Sequence, residues 1–183
     1  MLKIWLVENS TLLKGDMKYL DIRASIKSGD ILAFSHGDWK TWRGIKTEAV
    51  RIFTRSTYSH VAIAWVVANR VFIIEPVVPK TRIYPLSTSG SFYHLPLGQV
   101  WTDEVEEFAL SCVGIDYSQL DAIRAYLQPL EDGNVSECAA YVREVYKRLK
   151  IDLGDRSTPD AVVLKAQILG AITTYVENGN NNE

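Results

Sequence analysis

The chain has little from which to build a disulfide framework or a metal knot. Its 183 residues include two cysteines, Cys112 and Cys138, and three histidines, His36, His60 and His94. No C-x-x-C pair is present and the histidines lack ligand-like spacing, so no metal site is expected. Both thiols are expected to be reduced, with a single bridge as the alternative. An excess of charge of one sign is also missing. Twenty basic residues face twenty-two acidic ones, for a net charge of -2 and no long basic run. Nucleic-acid binding thereby loses its main electrostatic driver. No run approaches the roughly 18 apolar residues of a membrane span. The start, Met1 to Glu8, is apolar only briefly and lacks the layout of a signal peptide. A cytoplasmic location is expected, with a phage-encoded or otherwise delivered form as the alternative. Neither a G-x-S-x-G elbow, a Walker A loop, an H-E-x-x-H helix nor a dinucleotide glycine pattern occurs, and no cofactor is expected.

No repeat and no Pro/Gly/Ser-rich linker divides the chain, so one domain over 1–183 is expected. Within it 1–28 is unassigned apart from a possible strand at 1–7, and the polar stretch 178–183 reads as a disordered tail.

What is there is an ordinary globular balance, 47% hydrophobic and 23% charged. Gly29-Asp30 opens the apolar run Ile31-Leu32-Ala33-Phe34, a buried strand. A helix is expected over 41–53. Two strong strands, 60–67 and 71–75, flank a turn at Ala68-Asn69-Arg70, which predicts a hairpin. Shorter strands are expected at 81–86 and 91–96. From residue 103 the character turns helical. Asp103 with Glu106 resembles a capping box, and Gly114 closes that helix. Further helices are expected at 118–128, at 136–149, and from Pro159 after Thr158. Strands in a block followed by helices in a block indicate an α+β fold.

Cys138 falls in the first turn of the 136–149 helix, where free backbone N–H groups and the helix dipole favour a thiolate. Cys138, Val142, Val145 and Leu149 also share one helical face, and taken alone the segment favours an inert core cysteine. Cys112, at a helix C-terminus, reads as core. His60 opens a strand. With two or four residues in the hairpin loop, Glu75 falls opposite Ala62 and shares a face with His60, their Cβ atoms within about 7 Å. Such a carboxylate could fix the imidazole tautomer. A three-residue loop would place Glu75 on the other face, and a solvated histidine and glutamate at strand ends are equally open. His36, beside Trp39, could line a cleft mouth, although a solvated loop histidine is the plainer reading. His94 has no evident partner.

The order of these pieces resembles the circularly permuted branch of the NlpC-type papain-like superfamily, the YiiX-like and lecithin-retinol-acyltransferase-like amidases. The resembling segments are Gly29-Asp30-Ile31-Leu32-Ala33-Phe34, Tyr58-Ser59-His60-Val61-Ala62-Ile63, Ile73-Ile74-Glu75, Gly114-Ile115-Asp116-Tyr117, Ser136-Glu137-Cys138-Ala139-Ala140-Tyr141-Val142 and Thr158-Pro159-Asp160. They span about residues 29–165. The resemblance implies an antiparallel sheet packed against helices, with the histidine strand before the cysteine helix. It implies Cys138 as nucleophile, His60 as base and Glu75 as the orienting group. Tyr58, Glu137 and His36 are candidates for the oxyanion site or cleft. Asp116 receives no role, because here it precedes the tyrosine instead of following it. The implied activity is amide hydrolysis through an acyl-thioester, with a peptide, isopeptide or acyl-lipid substrate and cell-wall peptides as the first choice. A thiol acyltransferase or lipid esterase, with Trp39, Trp42 and Trp65 lining an apolar cleft, is one alternative. A catalytically silent binding protein of the same fold is the other.

Overall fold

The computed structural model describes residues 17–35, 57–77, 79–116 and 137–179. The expected strand at 1–7, the helices at 41–53 and 118–128, the start of the helix at 136, Trp39 and Trp42 lie outside the described residues.

Seven strands and four α-helices are described, an α+β arrangement. In chain order they are β1 (Met17–Lys18), α1 (Tyr19–Ile22), β2 (Ile31–Ser35), β3 (Tyr58–Val67), β4 (Arg70–Glu75), β5 (Arg82–Pro85), β6 (Phe92–Leu95), α2 (Asp103–Ser111), α3 (Glu137–Arg148), α4 (Pro159–Ile168) and β7 (Thr174–Glu177). They form one sheet in the order β1-β7-β6-β2-β3-β4-β5, antiparallel throughout except for the short β1–β7 pairing. No described helix is long and apolar enough to cross a membrane.

The near-continuous apolar runs of β2 to β4 follow from a sheet covered on both faces. Ile31, Ala33, Val61, Ile63, Ile74 and Leu95 pack with α2, α3 and α4. Their strand neighbours Leu32, Phe34, Ala62, Ala64, Ile73 and Phe92 pack on the other side with Tyr19, Ile22, Ile26 and Leu86. Period-two alternation therefore sorts one hydrophobic run into two cores.

The hairpin loop is two residues long. Val67 pairs with Arg70, and Ala68 and Asn69 take φ of 48° and 63°, as a type I′ turn demands. Arg70 belongs to the strand and not to the turn. Gly29, at φ +92°, begins the motif leading into β2. A Cβ there would come within 2.6 Å of Gln99 Nε2 and 2.8 Å of Trp101 Cε3, so both backbone and space require glycine.

Four further sequence expectations are corrected. The cap of α2 is Thr102, whose hydroxyl accepts from Val105 N, while Glu106 accepts from the Trp101 indole N–H at 2.8 Å. Cys112 is the C-cap of that helix, so it ends before Gly114. Residue 178 is no part of a disordered tail. Asn178 is 4% exposed, and its amide donates to Leu86 O at 2.7 Å and Ser89 O at 3.0 Å, which ties the residue to the Leu86–Ser89 turn. Residues 180–183 lie outside the described residues.

His94, finally, has a partner. It is buried with Asp30, Nε2 to Oδ2 at 2.7 Å, and the same carboxylate oxygen accepts from Lys27 N at 2.9 Å. Asp30→Ala leaves that imidazole buried without its bond and frees the turn before β2. We expect it to lower unfolding stability by about 2–4 kcal/mol in urea titration. A loss below about 1 kcal/mol would mean the pair carries no weight.

Candidate active site

The site assembles where β3 begins. His60 pairs with Phe34 and Ser35 pairs with Tyr58, so the ladder slips by one residue at Ser59, whose hydroxyl donates to Phe34 O at 3.2 Å. This bulge separates two side chains that simple alternation would put together. Tyr58 packs against the helix-side core and stands edge-on to Tyr93, ring centres 5.1 Å apart. The His60 ring lies 5.9 Å from Phe34. Thr158 caps α4, and Asp160 in that helix's first turn accepts from Tyr58 N at 3.1 Å, tying the helix start to the first residue of β3. Burial first, then Tyr93 and Asp160, push the Tyr58 phenol up, so it remains a hydroxyl.

Glu75 closes β4. The register that joins Ile63 to Ile74 carries on to place Glu75 opposite Ala62, two residues from His60. His60 Nε2 lies 2.8 Å from Glu75 Oε2, and both side chains are buried, Glu75 completely. An ionised carboxylate only accepts, so Nε2 carries the proton and Nδ1 is left for another partner. The second carboxylate oxygen, Oε1, accepts from Arg82 Nε at 2.9 Å.

That other partner of His60 is the Cys138 thiol, brought in by α3. The helix runs along β3. Its Cys138 end meets His60, and eight residues on, the Tyr146 hydroxyl donates to Gly29 O, whose own N–H bonds Ala64 O. Eight helical residues and four strand residues both span about 12–13 Å, so the two contacts are commensurate. Cys138 is 5% exposed and joins the helix-side core with Ala139, Val142 and Val145. It is the second residue of α3, where the positive end of the helix favours a sulfur anion. Burial works against a charged His60. The negative charge and hydrogen bond of Cys138, then the hydrogen bond and charge of Glu75, outweigh it and push the imidazole up to about 10. That is the electrostatics of an imidazolium–thiolate pair backed by a carboxylate.

Cys138, His60 and Glu75 thus come together, and Tyr58 stands at the same strand end. His36 and the side chain of Glu137 lie outside the described residues. Trp65 packs half-buried against Phe72 at 5.8 Å and against the helix-side core. Asp116, given no role, forms an isolated bridge and a partly exposed ion pair with Lys80, while its motif neighbour Tyr117 lies outside the described residues. Cys112 is buried, and burial pushes its thiol up. Arg82 was missed from sequence. Its signal is cross-strand, directly opposite Glu75, but the intervening Pro76 and Pro79 hide the register of β5. Among the described residues no group of three or more His, Cys, Asp or Glu side chains is arranged to hold a metal ion.

No family model matches the chain. No curated protein matches it either. Among solved structures it is similar to the metalloprotein YiiX of Escherichia coli O157:H7 (DUF1105), with a TM-score of 0.46 and 19% identity, over 84% of this chain and 89% of that one. A likeness at that level says nothing about chemistry.

Proposed function

We propose that the chain is a cysteine-dependent amide hydrolase of permuted papain-like design, working through an acyl-thioester on Cys138. The observation that carries the reading is the junction of three separate elements at one point. The Cys138 thiol at a helix start is hydrogen-bonded to a buried His60, and Glu75 holds the far ring nitrogen at 2.8 Å. The histidine strand precedes the cysteine helix in the chain, as the permuted order requires.

The Cys138 thiolate attacks the carbonyl carbon of a peptidic amide, and the carbonyl electrons move onto oxygen. Backbone N–H groups at the start of α3 are the donors for that oxyanion. The intermediate collapses as the C–N bond breaks, and the Nδ1 proton of His60 passes to the leaving amine. Neutral His60 then takes a proton from water, which attacks the thioester and releases the acid. Thiolate and imidazolium are restored. Glu75 keeps Nε2 protonated throughout and so fixes which nitrogen does the work.

Site-resolved alkylation tests this without a known substrate. Iodoacetamide at about pH 6 is expected to modify Cys138, an activated thiol, while an ordinary thiol with a pKa near 8.5 reacts only slowly there. Cys112, buried and pushed up, serves as the internal reference. A Cys138 that reacts only as fast as an ordinary thiol across the titration sinks the reading.

A further inference from the structure

Glu75 is held from two sides. Oε2 meets His60 Nε2 at 2.8 Å and Oε1 accepts from Arg82 Nε at 2.9 Å, with no part of the residue exposed. Arg82 is the residue directly opposite Glu75 in the β4–β5 ladder, so strand register sets this contact. Its guanidinium carbon also lies 5.0 Å from the centre of the Tyr84 ring, two residues along the same strand. The edge strand of the sheet therefore reaches the site through one planar cation.

The charges through the proposed cycle show what that cation does. At rest the cluster holds two anions, the Cys138 thiolate and Glu75, and two cations, His60 and Arg82. Once the leaving amine has taken the His60 proton, the sulfur is acylated and uncharged and the imidazole is neutral. Glu75 is then a fully buried carboxylate, and Arg82 is the cation beside it. A buried carboxylate without a counter-charge takes up a proton instead. A protonated Glu75 could neither hold the His60 tautomer nor favour imidazolium in the next turn.

We propose that Arg82 is a positioning residue which keeps Glu75 ionised and aimed at His60 through the whole cycle. The proposal rests on the cysteine-hydrolase reading of the site. Arg82 acts through Glu75 and not on the reacting atoms. Lysine retains the charge and lacks the flat guanidinium fork, methionine retains the stem without charge, and glutamine retains a donor without charge.

The test follows the pH dependence of Cys138 alkylation by iodoacetamide in the full chain, from about pH 4 to about pH 10, read by mass spectrometry of the modified peptide. Loss of the cation disfavours both anions of the cluster. Arg82→Met is therefore expected to move the acid limb of Cys138 reactivity upward by about one pH unit or more. Arg82→Lys is expected to restore most of that shift, a rescue that a packing role for the stem would not give. Arg82→Gln is read in the same way should the methionine variant not fold by circular dichroism. If the parent shows an early acid limb and both uncharged variants keep it, the role of Arg82 is overturned while the hydrolase reading stands. If the parent limb itself lies near pH 8.5, as for an ordinary thiol, the hydrolase reading fails and the role of Arg82 falls with it.

Discussion

On the proposed mechanism, Cys138→Ala is expected to lower turnover of any amide substrate by roughly 10⁴- to 10⁶-fold, because it removes the atom that would form the acyl intermediate. The fold should survive it. Ala139, Val142 and Val145 keep α3 on the sheet, and alanine is the better helix former. The thermal midpoint is therefore expected to change little. The second readout is the imidazole itself. Cys138 is the largest influence holding the His60 proton against burial. Without it, the His60 midpoint in NMR titration should fall well below about 10. The sign carries over to the parent protein under the proposed mechanism. An imidazolium retained up to about 10 keeps the leaving-group acid in place on the alkaline side, so amide kcat/KM should hold level to that region and fall beyond it. A Cys138→Ala variant with parental activity, or with an unmoved His60 midpoint, would remove the thiolate from the mechanism.

Much of this site could be read from the chain, and the reasons are local. The hairpin is written in two strong strands and a turn, but a turn at Ala68-Asn69-Arg70 leaves the loop length open, and it is the two-residue loop of the structure that fixes parity and puts Glu75 on the His60 face. The Thr158-Pro159 cap is likewise written in adjacent residues. Other parts depend on contacts between distant residues. β7 is four residues long and exists because β6 lies beside it, so no periodicity announces it. His94 finds Asp30 sixty-four residues away, and Asn178 finds the Leu86–Ser89 turn about ninety residues away. The Ser59 bulge needs β2 as its partner before it can redirect Tyr58. Cys138 is the most instructive position. Read alone it is a core cysteine, and it does sit in the core. What the local pattern cannot supply is that the first turn of α3 ends up against the His60 end of β3, because that depends on how the helix packs along the strand.

Glu75→Gln is the complementary expectation, and its effect on chemistry should be nearly as large. The substitution keeps volume and shape in a fully buried position, so packing is not what it tests. It turns an acceptor on both sides into a group with one acceptor and one donor end. His60 Nε2 and Arg82 Nε both present protons to residue 75. A glutamine can accept from one of them and must turn its own N–H₂ toward the other. If it accepts from Arg82, the imidazole loses its orienting bond and is free to take the wrong tautomer. If it accepts from His60, the guanidinium is left against a donor, and the charge that favoured imidazolium is gone in either case. We expect kcat to fall about 10²- to 10⁴-fold with KM little changed, because the lost interaction matters most when His60 moves its proton. The His60 midpoint should also drop, since the Glu75 hydrogen bond and charge both hold its proton. In a Cys138→Ala background the same substitution should cost no further activity if, as proposed, both act on one catalytic unit. A Glu75→Gln variant with parental kcat and an unchanged His60 titration would show that the carboxylate merely fills the space behind the ring.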